Sequence, residues 1–117
     1  MNKFKQRIWL ISLISVWMGI TYLSLKSARN STPIHLNDKL GHFIAYAVFS
    51  FNALVLWRGQ STKFKIILGL VLIGYGLFME ILQGFVPGRE VSGYDLLANS
   101  IGVGIGFLLF NRLKRYL

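Results

Sequence analysis

Four long apolar runs separated by short polar breaks account for most of the chain. The first, Ile8 to Leu25, carries no charge, and the second runs from about Leu40 to Trp57 with His42 near its start. The third covers about Ile66 to Val86 and contains Glu80; the fourth covers about Tyr94 to Asn111. Each approaches the roughly 20 residues that a helix needs to cross the hydrocarbon core of a bilayer. Backbone polar groups in lipid are satisfied only within helices or closed barrels, and these runs do not alternate as barrel strands do. The pattern predicts an all-α fold, a four-transmembrane-helix bundle, in a single domain over residues 1–117.

Charge orients the bundle. Lys3, Lys5 and Arg7 precede the first run, Arg58, Lys63 and Lys65 lie between the second and third, and Arg112, Lys114 and Arg115 follow the fourth. With four crossings all nine fall on one side, while Lys26, Arg29, Lys39 and Arg89 fall on the other. The positive-inside rule then predicts both termini in the cytoplasm. Trp9, Trp57 and Tyr116 would lie in the inner aromatic belt and Tyr22 in the outer one. The basic start of the first run resembles a signal peptide, but Lys26 and Arg29 interrupt the only candidate cleavage region around Ala28, so a retained helix is expected. The acids segregate the opposite way. Asp38, Glu80, Glu90 and Asp95 all lie toward the predicted outer ends of their segments, together with His42, Lys39 and Arg89.

Composition agrees with a small membrane domain. At 117 residues the chain has room for one domain, and 54% of it is apolar despite a formal charge of +9. The basic residues flank apolar runs instead of forming a stripe with base-stacking aromatics, which argues against nucleic-acid binding. They suit anionic membrane lipids instead. The absence of cysteine excludes disulfides and thiolate metal sites. No pattern identifies a cofactor. Four short helices enclose little volume, which makes a homodimer reasonable.

Several polar residues have ordinary structural explanations. Asp38 follows Asn37, a candidate N-cap, and an acid in a first turn suits the helix dipole. Ser92-Gly93-Tyr94-Asp95 fits a capping box. Gly102 and Gly106 form a G-x-x-x-G pair that lets a second helix approach closely, and Asn52 fits an interhelical hydrogen bond. Glu80 is less easily explained. It lies about 9 Å inside the outer end of its run, counting 1.5 Å per residue. Near a helix centre an acid costs about 2.5–3.5 kcal/mol on insertion scales, and somewhat less at this depth. It must face the bundle interior or a wet cavity, with a partner or a proton, and Gly69, Ile73, Gly76 and Gln83 share its face.

Asp38, His42 and Tyr46 are spaced i, i+4, i+8 and line one face of the second helix. Asp95 and Asn99 share a face of the fourth. Depth groups Glu80, Gln83, Tyr46 and Asn99 into one buried polar layer, with Asp38, His42, Arg89 and Asp95 above it. Pro87-Gly88 would turn the chain so that Arg89, whose planar fork suits phosphate or carboxylate, lies over that layer.

The run Asp38-Lys39-x-x-His42-x-x-x-Tyr46, followed by Glu80-x-x-Gln83-x-Phe85-x-Pro87-Gly88-Arg89-x-x-Ser92-x-x-Asp95-x-x-x-Asn99-x-x-Gly102-x-x-x-Gly106, resembles the VanZ-like family of small bacterial membrane proteins. The resemblance covers about residues 38–106, and the first span contributes little to it. The family takes its name from a protein associated with low-level resistance to the lipoglycopeptide teicoplanin. The resemblance implies a multi-pass protein of the bacterial cytoplasmic (inner) membrane linked to the cell envelope, and it implies no particular reaction.

The leading expectation is an outer-leaflet pocket that binds or transfers an anionic lipid head group or cell-wall precursor. Lys39 and Arg89 would hold phosphate or carboxylate, His42 and Glu80 would exchange protons, and Asp95 and Asn99 would orient those groups. Asp38, Tyr46, Gln83 and Ser92 complete the expected lining. A second expectation is a metal-dependent intramembrane hydrolase or transferase using His42, Glu80, Asp95 and Asp38, though no HExxH-like motif accompanies them. A third is a scaffold whose polar layer locks helices and a partner together. A through-going ion or proton carrier is disfavoured, because the cytoplasmic half has no matching acids.

Overall fold

A computed structural model describes residues 2–25, 35–86 and 93–117, with the helical backbone alone for 35–39. It consists of four α-helices, α1 Lys3–Leu25, α2 His35–Leu56, α3 Thr62–Gln83 and α4 Gly93–Leu113, then a short 3₁₀ turn, Lys114–Tyr116. Among the described residues there is no strand. Three helical stretches, Lys3–Leu25, Thr62–Gln83 and Gly93–Tyr116, are long and apolar enough to cross a membrane. The apolar part of α2 is shorter, Leu40–Leu56.

The helix bounds differ from those of the apolar segments, because a helix ends where its backbone is capped and not where hydropathy changes. At the start of α1 the Asn2 side chain accepts from the Lys5 backbone N–H at 2.8 Å, which draws the three basic residues into the helix. Ser61 caps α3 in the same way, accepting from Phe64 N–H at 3.2 Å. At its other end α3 stops three residues before Val86. Gly84, Phe85 and Val86 form a turn with N–H bonds to Ile81, Leu82 and Gln83, ahead of a proline that disfavours helix in the residue before it. Helix α2 begins at His35, so Asn37 lies inside its first turn and is not the N-cap the sequence predicts.

Helices α2 and α4 run parallel, side by side, and form the central seam. Gly102 rests on the backbone of Phe43 and Ala47; a Cβ there would meet the Phe43 carbonyl oxygen well inside van der Waals contact. One turn on, a Cβ at Gly106 would lie 2.7 Å from the Ala47 carbonyl and would overlap the Ser50 hydroxyl. The hydroxyl of Ser50 donates across this seam to the Val103 carbonyl at 3.1 Å. Two glycines four residues apart thus bring two backbones together, as the sequence predicts.

The other two helices flank this pair. Helix α3 lays Gly69 against the Phe107 ring and Gly76 against Asn99 and Tyr46. Helix α1 meets α2 through Trp9, whose carbonyl accepts from Asn52 Nδ2 at 3.4 Å and whose ring lies 6.3 Å from Phe51. It meets α3 through a hydrogen bond between Thr21 and Tyr75. Buried apolar residues form two clusters, one around Ile20, Tyr46, Phe49, Leu72 and Val103, the other around Leu54, Val55 and Phe110. Outward faces stay apolar: Met18, Leu70, Val71, Phe78 and Leu97 are exposed, a surface suited to acyl chains.

Candidate functional site

The register of the seam decides which polar residues meet. Because α2 and α4 are parallel, the packing of Gly102 on Phe43 and Tyr46 sets Asn99 and Asp95 beside His42, one turn nearer the helix starts. His42 Nδ1 lies 3.0 Å from Asn99 Oδ1. On the other side of the ring, His42 Nε2 is 4.0 Å from Asp95 Oδ2, and both side chains are 13% exposed.

The remaining wall comes from α3. Gly76 opposes Asn99 and Tyr46, and a Cβ at this position would stand 3.0 Å from Asn99 Nδ2 and 3.4 Å from the Tyr46 ring. Glu80 follows Gly76 by one turn, about 6 Å farther along the axis. It is therefore level with the turn that carries His42 and Asp95. Glu80 is 3% exposed and faces the interior, as an acid in an apolar helix must. It acts electrostatically on Tyr46, as does Tyr75. Tyr46, Gln83 and Asn99 are buried at least as completely as Glu80.

Two of these groups stand out by their hydrogen bonding. The Tyr46 hydroxyl and Gln83 Nε2 are buried and have no hydrogen-bond partner among the described residues. An unsatisfied buried polar group costs about 1–3 kcal/mol, so a bundle selected for stability alone would replace both. Toward the other end Asn52 is buried too; its amide nitrogen donates to α1, while its Oδ1 has no partner among the described residues.

Of the residues singled out in the sequence, the structure thus brings His42, Asp95 and Asn99 into contact, with Tyr46, Glu80 and Gln83 buried beside them. Arg89 and Ser92 lie outside the described residues, as do Glu90 and the side chains of Asp38 and Lys39. Among the described residues no three of His, Cys, Asp and Glu converge as a metal-binding group, so His42, Glu80 and Asp95 do not form one.

Helix α1 adds residues that sequence patterns did not single out. Ser24 is buried at the same end of the bundle, and Thr21 bonds to Tyr75. The Tyr75 ring in turn packs edge-on against Phe49, which packs edge-on against Tyr46. The polar end is therefore built from all four helices.

No curated protein and no solved structure matches the chain. A family model does, and it includes the first helix that the sequence motifs leave out. Long apolar helices within such a match mark a membrane protein. The matching family is described as VanZ/LLP1, the match covers residues 3–114, and the chain belongs to that family.

Proposed function

We propose that the chain crosses the bacterial cytoplasmic membrane four times with both termini in the cytoplasm. At the outer leaflet its polar end receives the head group of an anionic envelope lipid or a cell-wall precursor. One observation supports this reading: a fully buried layer of polar side chains, two of whose atoms have no partner among the described residues, lies directly beneath a partly exposed His–Asp pair. Buried polar atoms with no internal partner are costly to keep, and binding a polar ligand offsets that cost. Intramembrane acids ordinarily mark functional sites. In this reading Lys39 and Arg89 hold the anionic part of the ligand at the pocket mouth, and Asp38 and Ser92 line it. Glu80 and His42 are the groups able to exchange protons.

The test is lipid and cell-wall precursor profiling of cells carrying the wild type, Glu80→Gln or His42→Ala, with membrane abundance measured alongside. Altered profiles at normal abundance are expected. Unchanged profiles and unchanged glycopeptide sensitivity in both variants would sink the proposal. If abundance falls and the profile follows only that loss, the polar layer is a scaffold that holds the helices together.

A further inference from the structure

We infer that the floor of the pocket, at Tyr46 and Gln83, seats a neutral carbonyl oxygen of the bound molecule, about one helical turn below the level of His42. The inference deepens the pocket reading above and rests on it.

Two buried donors define this floor. The Tyr46 hydroxyl and Gln83 Nε2 have no hydrogen-bond partner among the described residues, and their side chains are 1% and 2% exposed. A phenolic oxygen lies in the plane of its ring, so it moves only if the ring does. The Tyr46 ring packs edge-on against Phe49 with centroids 6.0 Å apart, and a Cβ at Gly76 would stand 3.4 Å from it. Only the hydroxyl proton is free to turn. The position of this donor is thus set by packing and does not depend on how any side-chain amide is oriented.

Helix direction brings the two groups toward one space. Side chains on a helix lean toward its N-terminus. Tyr46 on α2 therefore leans toward the polar end, where α2 begins. Helix α3 runs the other way, since Gly69 meets Phe107 and Gly76 meets Asn99 of α4. Gln83 accordingly leans back from the end of α3 toward the turn of Glu80. Gly76, which faces the Tyr46 ring, and Gln83 are about 10 Å apart along the axis at 1.5 Å per residue. From these two levels Tyr46 and Gln83 close on the turn between them. Glu80 acts electrostatically on Tyr46 but has a partner of its own, and the Tyr46 hydroxyl stays unbonded.

Chemistry selects the occupant. A hydroxyl and an amide N–H offer donors, so what they seat together is an acceptor. An anionic oxygen there would stand beside the Glu80 carboxyl and would require that acid to be protonated. A neutral carbonyl makes no such demand, and it relieves two buried donors at once. The spacing fits as well. Tyr46 follows His42 by one turn, about 6 Å. In a diacyl lipid the glycerol unit sets the ester carbonyls a few bonds below the phosphate, so a lipid held at the mouth by its head group presents a carbonyl at this depth. The amide of a cell-wall precursor offers the same acceptor.

The experiment is a competition on the full chain in detergent, read by native mass spectrometry as the ratio of bound forms. One equal mixture contains short-chain phosphatidylglycerol with ester-linked chains and its ether-linked counterpart, which keeps the head group and lacks the carbonyls. A second contains short-prenyl diphosphate sugars with and without an acetamido group. The wild type should prefer the carbonyl-bearing member of one mixture by about tenfold, as befits a buried donor left unpaired by the other. The mixture that shows the preference identifies the source, ester or amide. Tyr46→Phe should bring the ratio close to one, and Gln83→Leu should lower it.

Binding without preference in both mixtures overturns the inference and leaves the pocket reading standing; this wild-type result holds even if a variant fails to fold. A preference that survives unchanged in Tyr46→Phe and Gln83→Leu also overturns it, because the carbonyl is then recognised elsewhere. No binding of any of the four molecules would end both readings.

Discussion

The two ends of the bundle treat polar groups in opposite ways. At the basic end Lys3, Lys5, Arg7, Lys63, Arg112, Lys114 and Arg115 are exposed. At the other end Tyr46, Glu80, Gln83 and Asn99 turn inward and are buried. Outward charges anchor a helix at low energetic cost and are widely interchangeable. Inward polar groups are expensive and depend on register, so their retention points to a task. The contrast teaches that net charge, +9 for the chain, and the buried polar side chains carry different information: the first concerns anchoring, the second is where the proposed pocket can be tested.

The largest expected effect comes from separating the seam that sets this register. Gly102→Leu pushes a side chain into the backbone of α2, beside Tyr46. Overpacking against backbone should destabilise the protein by about 3 kcal/mol, the upper end of such costs. Thermal unfolding in detergent measures it. Gly104→Ala is the control, because nothing stands within 4 Å of a Cβ there. It should be neutral, or gain up to about 1 kcal/mol of helix propensity. Equal effects at the two glycines would show that the seam does not hold the polar end together.

Much of this arrangement is legible in the sequence, and the gaps have physical causes. Helical spacing put Asp95 and Asn99 on one face and His42 and Tyr46 on another, and the G-x-x-x-G pair indicated that some helix would come close. Neither says that the two faces belong to neighbouring parallel helices in this register. Glu80 announces its inward orientation because an acid facing lipid is costly. Thr21 announces nothing. Its hydroxyl also donates to the Trp17 carbonyl of its own helix at 2.9 Å, so a threonine in an apolar run is satisfied whether or not it meets Tyr75. Hydropathy does not place the helix ends that Asn2, Ser61 and Gly84 decide, since it does not register a cap.

Tyr46→Phe reverses the usual sign of a core substitution. The ring packing on Phe49 is kept, and a buried hydroxyl without a partner among the described residues is removed. Stability should stay the same or rise by about 1 kcal/mol, while the envelope phenotype weakens. Chemical or thermal unfolding checks the first half and lipid profiling the second. A loss of more than about 1 kcal/mol, the size of a typical net hydrogen bond, would instead make the polar end a structural knot.

A smaller effect tests whether α1 belongs to that end. Thr21→Val, Tyr75→Phe and the double variant form a cycle for the bond between α1 and α3. Interhelical hydrogen bonds of this kind average about 0.6 kcal/mol in membrane proteins, which sets the expected coupling. A coupling indistinguishable from zero would reduce α1 to a peripheral anchor.

The smallest change in stability should come from the basic end, and there the consequence lies in topology. Lys63 and Arg112 are exposed, and neither makes a described side-chain contact that fixes a neighbour. Lys63→Gln with Arg112→Gln should alter unfolding by no more than about 0.5 kcal/mol, the usual range for surface substitutions. The same pair removes two of the nine positive charges on which the proposed orientation rests. A reporter active only outside the cytoplasm, fused after Leu117, should be silent in the wild type and gain some activity in the double variant, because orientation follows the Lys and Arg bias of short loops. A strong wild-type signal from that fusion would invert the bundle. Buried Glu80 and the polar residues around it would then lie toward the cytosol, and the head group of the proposed pocket would belong to the inner leaflet.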